Sequence, residues 1–316
     1  MRNMAFTGRK VVLAGNNSPA IEVLRLLLER LDAGSVLAVA PTEGSKHEWQ
    51  PSLADAAHAA GVRCLQPADV NDPSTIAAVR EHDADLLLSV YYTQIFKAPF
   101  LAAIRGPKIN FHPALLPRHR GTAPLIWAIV SGDAMAGVTA HHIDEGIDTG
   151  APIARKPFPI HHEDTGFDLH RKATRLVHRM AADLLNDLLT GRPLPNQEVG
   201  HHEPSYHGRA DARLNHLNWK DSSHRIRNIV RALAHPFPGA YVIAGAERVI
   251  LERVQSVEPS ADLGSRPPGS VELPHGKGPL VWTSTGLLRI ETWRDGDAMR
   301  SGEEMKRFLH EGMMLR

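Results

Sequence analysis

The sequence predicts an α/β fold, a mostly parallel sheet with helices on both faces, joined to a smaller all-β domain that closes as a barrel. Three observations carry this expectation. From residue 10 to residue 189, short apolar runs alternate with apolar residues at helical spacing, the pattern of β-α repetition. Residues 190–204 hold three prolines and two glycines with no apolar period, which marks a linker. Beyond it, one helical segment precedes five short β-rich runs separated by turns. The expected domains are therefore 1–190 and 206–316, with 191–205 between them.

Taken in order, residues 10–15 (KVVLAG) are rich in β-formers and end on glycine, as a buried first strand does. Ile21, Leu24, Leu27, Leu28 and Leu31 share one helical face, and Ser18 before Pro19 offers a cap with proline at the first helical position, so a helix is expected over 19–31. Strands are expected over 35–40, 63–65, 85–90 and 107–111, and helices over 53–60, 74–80 and 100–104. Pro113 disfavours helix just before it and keeps the last of these strands extended. A long amphipathic helix is expected over 165–189. Leu169, Ala173, Leu176, Met180, Leu184 and Leu188 form its apolar side, and Thr165 and Asp168 stand at capping-box spacing. In the second domain Ile226, Ile229, Val230 and Leu233 face one way on a helix over 222–233, which residues 235–239 (HPFPG) end. The strands that follow are expected over 240–243, 248–257, 269–273, 280–283 and 287–293.

The 36 basic and 35 acidic side chains nearly cancel, so nothing in the net charge of +1 calls for a polyanionic partner. The single cysteine, Cys64, cannot form an internal disulfide, which fits a reducing compartment and excludes a cysteine-rich metal site. Neither an apolar run of about 18 residues nor a cleavable leader is present. A cytoplasmic protein with no membrane partner is expected, with residues 1–9 a frayed lead-in. Nineteen histidines include adjacent pairs at 141/142, 161/162 and 201/202, but adjacent histidines in a strand diverge and no HExxH spacing occurs, so no metal is expected. The turn over 15–19 (GNNSP) lacks the GxGxxG spacing of a dinucleotide site.

The densest chemical segment is 110–121, NFHPALLPRHRG, directly after an expected strand. Open α/β sheets bind ligands outside the carboxyl ends of their strands, which puts Asn110 and His112 where chemistry is found. A second cluster, 137–150, GVTAHHIDEGIDTG, runs a strand into a glycine-bounded loop rich in carboxylates. Each alone has an ordinary structural explanation: His112 packing on Pro113, Asn110 capping a strand end, a solvated loop.

Together the two are far more specific. Asn110-x-His112-Pro-x-Leu-Leu-Pro-x-x-Arg-Gly121, Gly137-Val-Thr-x-His141 and Asp148-Thr-Gly150 resemble the 10-formyltetrahydrofolate-dependent formyltransferases. Leu217-Asn-Trp219, residues 226–232 and residues 236–240 resemble the C-terminal barrel domain of the family's two-domain members, so the likeness runs from about residue 10 to about residue 295. It implies a Rossmann-like sheet of the formyltransferase fold, an OB-like barrel, and formyl transfer from 10-formyltetrahydrofolate to an amine without metal. It also implies Asn110, His112 and Asp148 as the catalytic set. Asn110 would donate to the developing oxyanion, where one positioned donor is worth about 10²–10³ in rate. His112 would bond the same oxygen or shuttle protons, and Asp148 would orient His112 and accept the amine's proton. Which of the two is the formal base stays open. Gln94, Ile95, Phe96, Leu115, Leu116 and the loop holding Ile143, Asp144 and Ile147 match segments that line the pterin pocket in relatives. Ordinary core is the other reading of Ile95, Phe96, Leu115 and Leu116. His141 matches a family histidine near the site, whereas Ala114 stands where serine is common and His119 where an aromatic is frequent.

The acceptor expected from the resemblance is a small-molecule amine, an amino sugar on a nucleotide in preference to initiator tRNA. Members acting on tRNA resemble one another in a basic, glycine-containing insertion after the second strand; here residues 41–50 read PTEGSKHEWQ, with one lysine and two glutamates. Residues 66–73, 90–92 and 205–209 look more like the member that formylates UDP-4-amino-4-deoxy-arabinose, in which the last stretch returns toward the active site. Tyr206 and Arg209 are accordingly expected to touch the acceptor, an ordered linker end being the alternative. The tRNA, an amino acid or hydroxamate precursor, formyltetrahydrofolate hydrolysis and a folate-binding module without turnover remain as rival readings, and the oligomeric state stays open.

Overall fold

The computed structural model describes residues 9–42, 50–195, 203–208, 212–258 and 264–316. Arg209, most of the 41–50 stretch and the lead-in before residue 9 lie outside the described residues. By mutual contact the chain forms two compact units. The first comprises Met1–Thr122, Ala136–Phe158 and Arg171–His207, the second Ala123–Met135, Pro159–His170 and Gly208–Arg316.

The first unit is built on β1 (Val11–Gly15), β2 (Val36–Val39), β3 (Arg63–Leu65), β4 (Leu86–Val90) and β5 (Lys108–His112), with α1 (Asn17–Leu28), α2 (Leu53–Ala59), α3 (Pro73–His82) and α4 (Ala98–Leu101) in the connections. In chain order β6 (Arg120–Gly121), α5 (Pro124–Val130), β7 (Met135–His142), β8 (Pro152–Pro159), α6 (Gly166–Leu189) and β9 (Tyr206–His207) follow, α5 and the start of α6 belonging to the second unit. The main sheet has the order β3-β2-β1-β4-β5-β7-β8. Strands β1 to β5 pair in parallel, and β7 runs antiparallel to β5 with Asn110 opposite His141. β1, β2 and β4 are buried at every position, which is what continuous apolar runs covered on both faces produce. The chain steps from β1 outward to β3 and then restarts at β4 on the other side of β1. The carboxyl ends of β4 and β5 therefore open beside the crevice where such sheets take ligands. Val12, Ala14, Leu37, Val39, Leu87, Phe96 and Phe100 share one buried cluster beneath it.

Two local departures from expectation have clear causes. Helix α1 begins at Asn17 rather than Pro19, because Asn16 and not Ser18 caps it, its side-chain oxygen accepting the Asn17 N–H at 2.9 Å. α5 was not foreseen. Its sequence PLIWAIV is buried at Pro124, Leu125, Ile126, Ala128, Ile129 and Val130, so it carries no amphipathic period to read. The expected capping box of α6 is present, with Thr165 N–H to Asp168 Oδ2 at 3.0 Å and Asp168 N–H to Thr165 Oγ1 at 3.2 Å.

The second unit holds α7 (Ala212–Asn215) and α8 (Ser223–Leu233), then β10 (Ala240–Ala244), β11 (Glu247–Val257), β12 (Val271–Glu272), β13 (Leu280–Thr283), β14 (Gly286–Asp295) and β15 (Ala298–Ser301). These strands form a sheet ordered β10-β11-β14-β13-β12, with β15 also on β14. That order leaves β10 and β12 as edges with bare peptide groups. Residues 313–316 join them: Arg316 N–H bonds Ile243 O (3.1 Å), Leu315 N–H bonds Gly269 O (2.9 Å) and Val271 N–H bonds Met313 O (2.9 Å). The end of the chain thus bonds to both edges of the sheet. Helix α8 buries Ile226, Ile229, Val230 and Leu233. Its Arg227 donates to His162 O (2.9 Å) and Glu163 Oε1 (2.6 Å), and Arg231 to Asp164 O (2.7 Å). Among the described residues no helix is long and apolar enough to cross a membrane.

Candidate active site

Strand β5 alternates Ile109 and Phe111 into the core with Asn110 and His112 on the other face, as a period of two requires. The antiparallel register of β7 then sets His141 opposite Asn110 and Thr139 opposite His112. Thr139 is fully buried; its hydroxyl donates to Ala114 O at 2.7 Å and accepts the Leu116 N–H at 3.2 Å, pinning the turn that follows His112. After β7 the chain doubles back through 143–150. A Cβ at Gly150 would lie against the His142 carbonyl, so only glycine permits this approach. Asp148 sits on that loop with φ of 52°, a left-handed conformation that aspartate tolerates better than most residues.

Three side chains and one backbone N–H meet on the Asp148 carboxylate. Asn110 Nδ2 donates to Oδ1 at 3.3 Å, His141 Nε2 lies 3.5 Å from Oδ1, and His112 Nδ1 lies 3.5 Å from Oδ2, which also accepts the Gly121 N–H at 2.9 Å. The tautomers follow from what faces the far side of each ring. His112 Nε2 is 2.8 Å from the His119 carbonyl, which can only accept, so Nε2 carries hydrogen and Nδ1 is turned to Asp148. His141 Nδ1 is 2.8 Å from the His142 carbonyl and so carries hydrogen, and its Nε2 lies 3.1 Å from Asn110 Nδ2.

Burial and charge then separate the protonation states. Burial of His112 lowers its pKa below the usual histidine value, against the opposing pull of Asp148. Burial pushes Asp148 up, but hydrogen bonding to His141, the charge of His112 and the Gly121 N–H together outweigh it and hold the carboxyl at about 2. Near neutral pH the site is an ionised carboxylate beside an uncharged imidazole, a pair able to take a proton.

The other expected residues are placed as follows. Gln94 Oε1 accepts the Val70 N–H (2.7 Å), and Phe96 is buried between Tyr92 and Phe100 at ring separations of 5.4 and 4.8 Å. Leu116 is buried, Leu115 half-buried against Gly137, and Ile143 packs on the cluster that contains Phe96. Asp144 Oδ1 accepts from Gly146 N–H (3.0 Å) and Thr149 Oγ1 (2.7 Å), shaping the loop that carries Asp148. Ile95 and Ile147 stand 54% and 38% exposed. Tyr206, 60% exposed, pairs with Arg120 across β9 and β6, and its ring lies against Gly121. Gly121, Thr139 and Ser205 were given no role from the sequence, and His119 was noted only as a departure from the family pattern. Gly121 could have been, since its φ of 94° is a glycine conformation within a motif. Ser205 could not, because its partner His119 lies 86 positions away. Among the described residues no three His, Cys, Asp or Glu side chains are gathered to hold a metal ion.

Comparison with known proteins agrees with this architecture. Residues 9–185 match the family model described as formyl transferase, and residues 211–308 the model described as formyl transferase, C-terminal domain. The methionyl-tRNA formyltransferase of Caldanaerobacter subterraneus subsp. tengcongensis is 30% identical over 269 residues, which cover 83% of this chain and 84% of that protein. An N-formyltransferase of Helicobacter canadensis, solved with folinic acid and dTDP-3-aminofucose, superimposes with a TM-score of 0.71 at 22% identity, over 89% of this chain and 97% of its own. The sugar 3N-formyl transferase WlaRD, solved with dTDP and 5-N-formyl-THF, gives 0.71 at 20% identity over 92% and 98%. The two solved structures share the fold, the first relative shares sequence across both domains, and the family model spans more than half of the chain: the protein belongs to the formyltransferase family and is an enzyme of formyl transfer.

Proposed function

We propose that the protein transfers the formyl group of 10-formyltetrahydrofolate to the amine of an amino sugar carried on a nucleotide. One observation carries the chemistry: an Asp148 carboxylate held ionised at about 2 lies within 3.5 Å of an imidazole whose pKa burial has lowered, with an Asn110 amide donor on the same side. The amine attacks the formyl carbon of the co-substrate, the bond from that carbon to the folate nitrogen breaks, and the folate nitrogen leaves with the proton that the amine gives up. Asn110 holds negative charge at the formyl oxygen by hydrogen bonding. His112 Nδ1 and Asp148 Oδ2 face one another, so a proton leaving the amine has an acceptor at either atom and a partner to share its charge. The exposed Ile95 and Ile147, with half-buried Leu115 and Ile143, offer apolar cover to a flat heteroaromatic ring, while Gln94 and Asp144 brace the two loops that present them.

Two features support the small acceptor. The Tyr206 ring lies open beside Gly121, whose N–H holds Asp148, and so suits a planar base near the proton-accepting pair. Arg209 would lie in the same stretch with a charge for phosphate. The solved relatives carrying dTDP-3-aminofucose and dTDP favour the same class. The 30%-identical methionyl-tRNA formyltransferase favours initiator tRNA as a second reading, against which stands the charge balance of residues 41–50. The test is release of the deformylated folate, followed spectroscopically, with nucleotide-linked amino sugars, free diamino acids and charged initiator tRNA as acceptors. Turnover with the amino sugars is expected. Efficient, salt-sensitive turnover with the tRNA alone overturns the acceptor, and release without any amine indicates hydrolysis.

A further inference from the structure

His112 and Asp148 face each other, but what fixes each of them lies on the other side, in one short loop. The His112 ring bonds the His119 carbonyl through Nε2, and the backbone bond of Asp148 comes from Gly121 N–H. This loop is not self-supporting. His119 has φ of 57° and Gly121 of 94°, both left-handed, and at a histidine that conformation persists only where surrounding bonds hold it.

The holding bonds come from residue 205. Ser205 Oγ accepts the His119 N–H at 2.8 Å, Ser205 N–H donates to Pro117 O at 3.3 Å, and Ser205 O accepts the Arg120 N–H at 2.9 Å. The last bond is the informative one. The peptide unit joining His119 to Arg120 is bonded at both ends, its oxygen to His112 Nε2 and its N–H to Ser205 O, so it cannot rotate without breaking both. A chain of hydrogen bonds therefore runs from Ser205 through that peptide to His112, each member polarising the next, and sets Nδ1 facing Asp148 Oδ2 at 3.5 Å. Downstream, Thr122 N–H bonds His207 O at 3.1 Å and the His207 ring stacks on His119 at 5.0 Å, which extends the clamp without touching the pair.

We propose that Ser205 is a positioning residue for the His112–Asp148 pair, holding the His119–Arg120 peptide so that its carbonyl selects the Nε2–H tautomer of His112 and turns Nδ1 toward Asp148. The catalytic part of this statement rests on the function proposed above; the tautomer part does not. Ser205→Ala removes the hydroxyl that accepts the part-buried His119 N–H, leaving left-handed His119 and the peptide after it tied to residue 205 by backbone bonds alone, and Ser205→Thr keeps the hydroxyl.

The experiment reads the imidazole nitrogens of His112 by NMR in the full-length protein without substrates, the signal assigned with His112→Gln. Wild type and Ser205→Thr are expected to show the Nε2–H form, and Ser205→Ala a mixture with Nδ1–H. In turnover, Ser205→Ala is expected to lose about tenfold in kcat, with KM for folate and acceptor within about twofold, since misplacement of the reacting groups and not binding is affected; Ser205→Thr restores it. If Ser205→Ala does not fold by circular dichroism, Ser205→Val, with the shape of threonine and no hydroxyl, takes its place. A wild-type tautomer and kcat in the hydroxyl-less variant, or a threonine variant as impaired as alanine, overturns the proposal. Absence of turnover in wild type with every acceptor counts against the function and leaves the tautomer comparison standing.

Discussion

Asn110 and Asp148 are bonded directly, Nδ2 to Oδ1 at 3.3 Å, although one belongs to a central strand and the other to a loop 38 positions later. The amide proposed to stabilise negative charge is thus aligned by the carboxylate of the proposed proton-accepting pair. Removal of either disturbs both tasks. Asn110→Ala, His112→Ala and Asp148→Asn are each expected to lower turnover by at least about 10²-fold, and their combinations to lose far less than the product of the single losses. Asparagine is the better replacement at 148 because it accepts φ of 52°. Steady-state kinetics with circular dichroism decide: a folded variant with near-normal turnover removes that residue from the mechanism.

Acid sensitivity should have a defined origin. Burial holds His170 at about 4 and also lowers His112, against 6.5 for an exposed histidine. As pH falls through 6.5 the unfolded chain takes up protons that the folded one refuses, so stability declines with acidification until the folded groups titrate as well. For His170 the window is about pH 6.5 to 4 and the loss on the order of 3 kcal/mol. Urea unfolding at pH 7.5, 5 and 4 measures it. His170→Gln should flatten the decline, and an unchanged slope would show that another group sets it.

Gly121 has no room for a side chain. A Cβ there would lie 2.4 Å from the His207 carbonyl and 2.9 Å from the Tyr206 ring, at φ of 94°. Gly121→Ala should push β9 off β6, withdraw the N–H from Asp148 and destabilise the protein by about 1–3 kcal/mol. Turnover is expected to fall at least about tenfold, and the Asp148 pKa to rise, as seen in carboxylate NMR titration. An alanine variant with wild-type melting and turnover would mean that the β6–β9 contact yields freely.

A fragment ending near residue 195 keeps every proposed catalytic residue but loses α8. With it go the Arg227 bonds to His162 and Glu163, the Arg231 bond to Asp164, and the surface on which α5 packs. Buried Ile126 and its neighbours would meet water. Such a fragment is expected to melt without cooperativity and to bind a folate analogue far more weakly than the whole chain. Tight binding by a cooperatively folded fragment would instead make the 1–190 segment self-sufficient.

Much of this fold was legible. β1, β2 and β4 declare themselves as unbroken apolar runs, and α6 through its period and its Thr165–Asp168 box. The strands of the second unit were visible one by one, but the bonds from residues 313–316 to Ile243 and Gly269 were not, because they run through backbone atoms alone. The same physics divides the site. Asn110, His112 and Asp148 act through side chains and leave a motif. The groups that orient them are the His119 carbonyl, the Gly121 N–H and the backbone and hydroxyl of Ser205; a peptide group leaves no trace in residue identity, and the hydroxyl's partner lies 86 positions away.

The bond between His119 and Ser205 spans 86 positions, while the sheet that carries His112 is complete well before residue 205. Contacts of such separation form late, since a long stretch of chain must first be gathered. In refolding, helical and sheet signals should therefore recover ahead of activity. During synthesis the chain would already hold its parallel strands in register while the His112 tautomer was still unset, and catalytic competence would arrive only once Ser205 had left the ribosome.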